Sequence, residues 1–430
     1  MRFALLGCDD DMARLVARAV RDRWHTVVAA RVEPIWRERL ASILPNCEWL
    51  DGWESLLAED RVDAVLVGHE RVAGDSTEAL KKLVQAGVPI LATHPLGDPL
   101  LALELEMIRS DGRGPIVAHY PGCRHPAVAQ LAPWVRGGDS SPLGKVEQVV
   151  LERSLADRER RAVTSQLARD ADLLRELLGK VTQVNAMGPS PDAEVWSNLS
   201  VQLAGRPAKS DGTQPAGDGP LARWSVEPVV GSPQGKLTLI GSRGRVTLSM
   251  PADPSAWKLD VSGANVPAES LGAVAWPEWD GDAAALEMLA KSISDPAAVS
   301  PSWPAICRDL EVADTVELSL RRGRLIELHH DTVTEEDTFK GVMSAVGCLL
   351  LLIVPMVLLG AAILDGLRVA SRGVTPSGAA GGAGLAAENS TPDRPWWPFF
   401  LVAPLLVFLL LQALRIVARR SPRVANPSEN

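Results

Sequence analysis

An alternation of apolar runs and helical patterns over residues 2–119 constrains the fold more than any other feature. A buried-strand run at 2–7 is followed by residues 11–21, in which apolar side chains recur at helical spacing. Strands that alternate with helices predict a parallel, doubly wound α/β sheet. The predicted strands lie at 2–7, 26–30, 62–67, 89–93 and 115–119, and the predicted helices at 11–21, 35–43, 53–58, 77–85 and 100–110.

The pattern changes after Val181. Before it, predicted strands alternate with predicted helices, whereas after it apolar and polar residues alternate within predicted strands. Residues 237–239 are expected to pair with residues 246–250 across a turn at 241–244. A helix at 304–320, with one apolar stripe, is expected to close this part of the chain. The sequence therefore predicts a second, α+β domain with a mostly antiparallel sheet.

Two long stretches near the end of the chain carry no charge. Residues 341–364 are 24 residues without Asp, Glu, Lys or Arg, and residues 396–414 are 19 more. Each is long enough to cross a hydrocarbon core of about 30 Å. We therefore predict a transmembrane hairpin with both termini and the soluble domains on the cytoplasmic side of the inner membrane, because arginines follow the second stretch. A buried soluble hairpin is the alternative.

Composition argues against two classes of site. The formal net charge is −9, so the chain does not have the basic surface expected of a nucleic-acid-binding protein. The five cysteines are scattered without metal-ligand spacing, which favours buried, reduced thiols and predicts no metal site.

The turn after the first predicted strand has part of a dinucleotide-binding pattern. Gly7 stands at the first glycine position, whereas Asp9 and Met12 stand where the second and third glycines would be. Glycines there let the backbone approach a pyrophosphate at a helix N-terminus. Carboxylates would instead cap the helix and repel a phosphate. Both a dinucleotide site and a self-capped helix are compatible with the pattern.

The stretch GVPILATHPL at 87–96 resembles the "aGkhVlcEKPla" segment of the Gfo/Idh/MocA oxidoreductases, the glucose–fructose oxidoreductase and inositol dehydrogenase family. The segments WESLLAEDRVDAVLVG, GRGPIVAHYPGCRHPAVAQL and LGKVEQVVLERS are also similar to that family. The resemblance covers 1–330. It implies a Rossmann-like NAD(P)-binding-type domain at 1–121, a C-terminal α+β domain at 122–330, NAD or NADP as cofactor, and a sugar or polyol-like substrate.

The resemblance also assigns candidate catalytic residues. His94 takes the place of the family's lysine, at a predicted strand end with its ring presented outward. The family's Asp-x-x-x-His-x-x-Asp motif aligns with residues 165–172, so that Arg169 replaces the histidine and Asp172 is retained. Helical spacing places Ser165, Arg169 and Asp172 on one face, which is either an anion-binding face or the site of an Arg169–Asp172 surface pair. The candidate catalytic residues are His94, Arg169 and Asp172.

The cofactor-binding residues implied by the resemblance come from the ends of four predicted strands. They are Gly7, Cys8, Arg31, Gly68 and Thr93.

Two functional hypotheses follow. One is a membrane-anchored oxidoreductase by ancestry, weakly active or inactive because its motifs are altered. The other is a non-catalytic ligand-binding or scaffolding module at the cytoplasmic face of the membrane. The resemblance also makes a homo-oligomer through the second-domain sheet plausible. The remaining predicted segments are an acidic linker at 331–340, transmembrane helices at 341–364 and 396–417, a flexible loop at 365–395 and a basic tail at 418–430.

Overall fold

The computed structural model groups Met1–His330 into one compact unit and Asp331–Asn430 into another. It describes residues 1–328 except 23–24, 58–61, 70–73, 113, 207–218, 230–231, 233 and 264–271, together with Gly360 and Ile363. The predicted linker, spans, loop and tail beyond residue 330 thus lie outside the described residues, apart from those two. Among the described helices, none is both long enough and apolar enough to cross a membrane.

In the described part of the first 120 residues, six parallel strands form one sheet in the order β3-β2-β1-β4-β5-β6. The strands are β1 (Arg2–Leu6), β2 (Thr26–Arg31), β3 (Glu48–Trp49), β4 (Ala64–Val67), β5 (Ile90–Thr93) and β6 (Ile116–His119). This confirms the predicted parallel, doubly wound sheet. Strand order reverses between β1 and β4, and such switch points are where ligands bind in open α/β sheets.

The crossover helices of this sheet are α1 (Asp10–Arg21), α2 (Pro34–Leu40), α3 (Gly74–Gln85) and α4 (Pro99–Gly112). The helix predicted at 53–58 is wrong, since the chain forms a 3₁₀ helix at Glu54–Leu57. So short a segment does not repay the cost of nucleating an α-helix. On α1 the buried stripe continues through Ala19, whereas Val20 is exposed.

The two faces of the first sheet are covered by different elements. Phe3 and Leu5 of β1 pack into one core cluster, and Ala4 and Leu6 point into the other. The first cluster is completed by residues from much later in the chain, in helix α7 (Gly281–Ser294). Arg18 of α1 also donates to the Asp280 carboxylate at the start of α7, with 2.6 Å between Nε and Oδ2. The two predicted domains are therefore interleaved at this face.

The second sheet has nine strands among the described residues, in the order β14-β13-β12-β11-β7-β10-β9-β8-β15. Its neighbouring strands are antiparallel except for β7 and β10, as the mostly antiparallel prediction requires. Leu237 faces Leu248 and Leu239 faces Val246, which confirms the predicted pairing. The strands are β7 (Val146–Leu155), β8 (Lys180–Met187), β9 (Ser200–Arg206), β10 (Leu221–Pro228), β11 (Gln234–Gly241), β12 (Arg245–Pro251), β13 (Lys258–Ser262), β14 (Gly272–Ala275) and β15 (Ile326–Glu327).

Helices cover one face of this sheet and leave the other open. α5 (Pro126–Arg136), α6 (Arg160–Leu178) and α8 (Trp303–Arg322) carry the buried side chains that pack on it. Helix α8 matches the predicted helix at 304–320. The open face carries polar pairs such as Arg223 with Glu152, 3.7 Å apart. Helix α6 also reaches the carboxyl edge of the first sheet.

Candidate functional site

The residues proposed to bind a cofactor meet at the carboxyl edge of the first sheet. The Gly7 N–H donates to the Arg31 carbonyl at 2.9 Å, which joins the ends of β1 and β2. The Gly68 N–H donates to the Leu6 carbonyl at 3.1 Å, which joins β4 to β1. Thr93 ends β5 at the same edge. The predicted cofactor-binding residues thus lie together at this edge of the sheet, and their role stays a prediction.

Gly68 has a packing role at this edge. A Cβ atom at position 68 would lie 2.6 Å from Cys8 Cα and 2.9 Å from Gly7 O, closer than side-chain atoms approach backbone. Glycine therefore allows the turns after β1 and β4 to touch. Cys8 is buried under this contact.

Asp9 occupies the N-terminus of α1 with its own carboxylate. Oδ1 accepts a hydrogen bond from Met12 N at 2.7 Å, which confirms the predicted helix cap. Oδ2 accepts from His69 N at 2.6 Å and from Thr93 Oγ1 at 2.8 Å. Donors from the ends of β4, β5 and α1 thus converge on one side chain. They are the kinds of donor that an anion would use at a helix N-terminus.

The next two carboxylates are also held by the chain itself. Asp10 lies 3.2 Å from the Arg39 guanidinium. Asp11 is bridged by two arginines, with Arg14 Nη2 2.7 Å from Oδ1 and Arg169 Nη2 2.9 Å from Oδ2. The residues present do not fit a dinucleotide pyrophosphate, since the Asp9 carboxylate already takes the donors at this helix N-terminus.

The outward orientation predicted for His94 is wrong. The residue is 1% exposed, and neither ring nitrogen has a partner with hydrogen-bond geometry in the described part of the chain. Helix α6 lies over it, with Arg169 Nε donating to the His94 carbonyl at 2.8 Å. Burial lowers the pKa of His94 to about 4, and the nearby Ala168 backbone only partly offsets this. The ring is therefore neutral at pH 7.

The predicted Arg169–Asp172 surface pair is also wrong. Arg169 reaches across to Asp11 of α1, and Asp172 is 5% exposed and is bound by Arg175. Shared helical spacing fixes only the face of α6, whereas partners from other elements decide the pairing. Arg169 therefore connects α6 to α1 and to the residue that follows β5.

Asp172 belongs to a buried polar cluster that the sequence did not reveal. Tyr120 donates its hydroxyl to Asp172 Oδ2, and Arg175 Nε lies 3.2 Å from Asp309 Oδ1. Burial raises the pKa of Asp172, and it raises the pKa of Asp309 well above the usual range. The only signal in the sequence is that Tyr120, the single tyrosine, follows a predicted strand.

Three cavities are lined in part by helix α6. One of about 800 Å³ is lined by residues including His69, Pro95 and Ser165, and one of about 310 Å³ by residues including Tyr120 and Asp172. A third, of about 270 Å³, lies between the start of α1 and the second sheet. His94 lines none of these three, so a ligand within them does not reach its ring.

Metal ligation is not supported among the described residues. No group of three or more His, Cys, Asp or Glu side chains in that part of the chain is placed to hold an ion.

Comparison with known proteins gives a fold. No protein-family model matches the chain, and no curated protein sequence matches it significantly. Solved structures do match. A 3-ketoreductase from Actinomadura kijaniata, solved with NADP and TDP-benzene, has a TM-score of 0.60 at 18% identity over 74% of this chain and 97% of its own.

Two further solved structures give the same result. A myo-inositol dehydrogenase from Corynebacterium glutamicum has a TM-score of 0.55 at 19% identity, covering 76% of this chain and 99% of its own. A UDP-N-acetylglucosamine 3-dehydrogenase from Acidithiobacillus ferrooxidans has a TM-score of 0.58 at 20% identity, covering 74% and 97%. The chain therefore has the fold of NAD(P)-dependent oxidoreductases of the Gfo/Idh/MocA type.

Proposed function

We propose that the chain is a Gfo/Idh/MocA-type oxidoreductase by descent whose own carboxylates fill the nucleotide site, leaving weak or no NAD(P)-dependent activity on sugar or polyol-like substrates. The fold of its neighbours supports the descent. The environment of Asp9 supports the loss, because its carboxylate accepts hydrogen bonds from Met12, His69 and Thr93. The burial of His94 away from the cavities supports it further.

Removing the Asp9 carboxylate is expected to strengthen dinucleotide binding. The full-length protein is titrated with NADH and NADPH, followed by nicotinamide fluorescence. We expect a wild-type Kd in the millimolar range, roughly −4 kcal/mol, and at least tenfold tighter binding for Asp9→Gly. Asp9→Ser is the second variant, because serine retains a helix cap without the charge.

Asp10→Gly is the matched control for this titration. It removes one carboxylate from the same helical turn, but Asp10 is 79% exposed and contacts only Arg39 among the side chains described above. We expect it to change nucleotide affinity less than threefold. Micromolar binding by the wild-type chain would contradict the proposal, and so would equal effects of the Asp9 and Asp10 variants.

A second candidate function is a non-catalytic ligand-binding or scaffolding module. The open cavities beside a filled nucleotide site favour it, because a small ligand can enter them without a dinucleotide. Under this second hypothesis, the protein binds a sugar-like ligand without oxidising it.

We further propose that residues 341–364 and 396–417 anchor the protein in the inner membrane with both termini cytoplasmic. The uncharged stretches within them, 341–364 and 396–414, support this placement because each is long enough to cross a bilayer. A reporter fused after Asn430 is expected to give a cytoplasmic signal, and a reproducible external signal would contradict it.

Light scattering on the purified full-length protein tests the proposed homo-oligomer through the open face of the second sheet. A monomer mass would exclude this homo-oligomer.

A further inference from the structure

The cavity between the start of α1 and the second sheet is rich in guanidinium groups. Its walls include Arg14, Arg153 and Arg169, with Asp11 as the carboxylate among them. The rest of the lining combines amides, such as Gln166 and Gln234, with apolar side chains, such as Met250 and Trp257. We name it the arginine cavity. Its lining carries a local positive charge in a protein whose formal net charge is −9.

Arg153 is held in place before any ligand arrives. Its Nε lies 2.9 Å from Asp170 Oδ2, and Nη2 contacts Oδ1 of the same carboxylate. Asp170 is 2% exposed and also accepts from Trp224 Nε1 at 2.7 Å. Asp170 does not line the arginine cavity, whereas Arg153 does.

One end of the Arg153 guanidinium makes no hydrogen bond within the described residues. Its Nη1 lies over Gly235, where an added Cβ would be only 2.1 Å away. Glycine at this position in β11 leaves room for the guanidinium. Arg153 therefore presents a fixed guanidinium at the wall of the arginine cavity, and a fixed guanidinium suits a carboxylate or a phosphate.

The Asp11 carboxylate already occupies the position of an anion in this site. Its two oxygens are bridged by Arg14 and Arg169, at 2.7 and 2.9 Å. The arrangement is the one that an external carboxylate or phosphate would adopt between two guanidiniums. Asp11 is therefore an internal competitor for an incoming anion.

We propose that the arginine cavity binds a small polyhydroxylated acid, a sugar or polyol that carries a carboxylate or phosphate, in competition with Asp11. The anionic group is taken by Arg169, Arg153 and Arg14, and the hydroxyl groups by the amides of Gln166 and Gln234. A cavity of about 270 Å³ accommodates a small molecule of this kind. This inference rests on the proposed function and specifies the ligand class of its cleft.

Calorimetric titration of the full-length protein, purified in a mild detergent at low salt and without nucleotide, tests this. The probes are D-glucuronate and glucose 6-phosphate, which separate carboxylate from phosphate, with glucose and inorganic phosphate as partial ligands. We expect at least one acidic sugar to bind tenfold or more tighter than either partial ligand. Equal affinity for glucose would overturn the anionic requirement, and equal affinity for inorganic phosphate would overturn the polyol requirement.

Variants test whether Asp11 competes. Asp11→Asn is expected to raise the affinity for the acidic sugar at least tenfold, and Arg169→Gln to lower it by a similar factor. Lys236→Gln is the control, because it removes one positive charge from an exposed position that does not line the cavity. Unchanged affinity in Asp11→Asn would overturn the proposal. This titration contains no nucleotide. If the separate NADH titration showed tight binding, it would contradict the proposed loss of activity, but the result for the acidic sugar would still stand.

Discussion

Replacing Asp170 by alanine is expected to lower the free energy of unfolding by about 3–5 kcal/mol, the cost of breaking a buried ion pair. The carboxylate is 2% exposed and its partner Arg153 is 13% exposed, so neither charge is well solvated. Its loss also leaves Trp224 Nε1 without its acceptor in a fully buried environment. Urea unfolding of the full-length protein, followed by tryptophan fluorescence, measures the change.

Asp260→Ala is the matched control for this measurement. Asp260 is an exposed aspartate on β13, and its loss is expected to change stability by no more than about 0.5 kcal/mol. The double variant Arg153→Met with Asp170→Leu is expected to recover much of the loss, because an apolar pair leaves no buried charge. If Asp170→Ala costs no more than Asp260→Ala, the pair is not important for stability.

Substitution of His94 by phenylalanine is expected to weaken the acid sensitivity of the fold. The His94 pKa is about 4 in the folded protein, against 6.5 as the ordinary value. Between these pH values the unfolded chain binds a proton that the folded protein does not, so stability falls as pH falls. The contribution present above pH 6.5 and lost by pH 4 is about 3 kcal/mol. Urea midpoints measured from pH 7.5 to pH 4 should fall less steeply in His94→Phe.

Measurements above pH 7 provide the reference within the same experiment. Above pH 7 the ring at position 94 is uncharged in both proteins, so their stabilities should run parallel. His125, whose pKa burial also lowers to about 4, retains its own acid response in both proteins. Phenylalanine keeps a ring near Tyr120, whose ring centre lies 5.7 Å from that of His94. Identical slopes below pH 6.5 would show that the His94 ring is solvated.

Much of the fold was predictable because it is determined by local periodicity. Buried runs such as 62–67 and the stripe of α8 identify their elements without knowledge of partners. Strand β3 was not predicted, because two residues leave almost no periodic signal, and the single turn at Glu54–Leu57 was predicted as a longer helix.

The site was only partly predictable, because its contacts join residues far apart in the chain. The cap of Asp9 on Met12 is local and was predicted, whereas its bond to Thr93 spans 84 positions. Arg169 finds Asp11 across 158 positions, a partner that helical spacing on α6 does not indicate. The burial of His94 depends on how α6 packs over the first sheet. The sequence placed these residues at one edge of the sheet, and the packing of other elements determined their contacts.

Helix α7 lies late in the chain but completes the core of its earliest strand. During synthesis, the face of the first sheet that carries Phe3 and Leu5 lacks part of its core until Leu286 and Leu289 have been added to the chain. At about 5–20 residues per second, the delay between β6 and α7 is on the order of ten seconds. For that interval the nascent chain exposes an apolar surface of the kind that associates with other chains. The core on this face of the first sheet is therefore completed only when α7, in the last third of the compact unit, has left the ribosome.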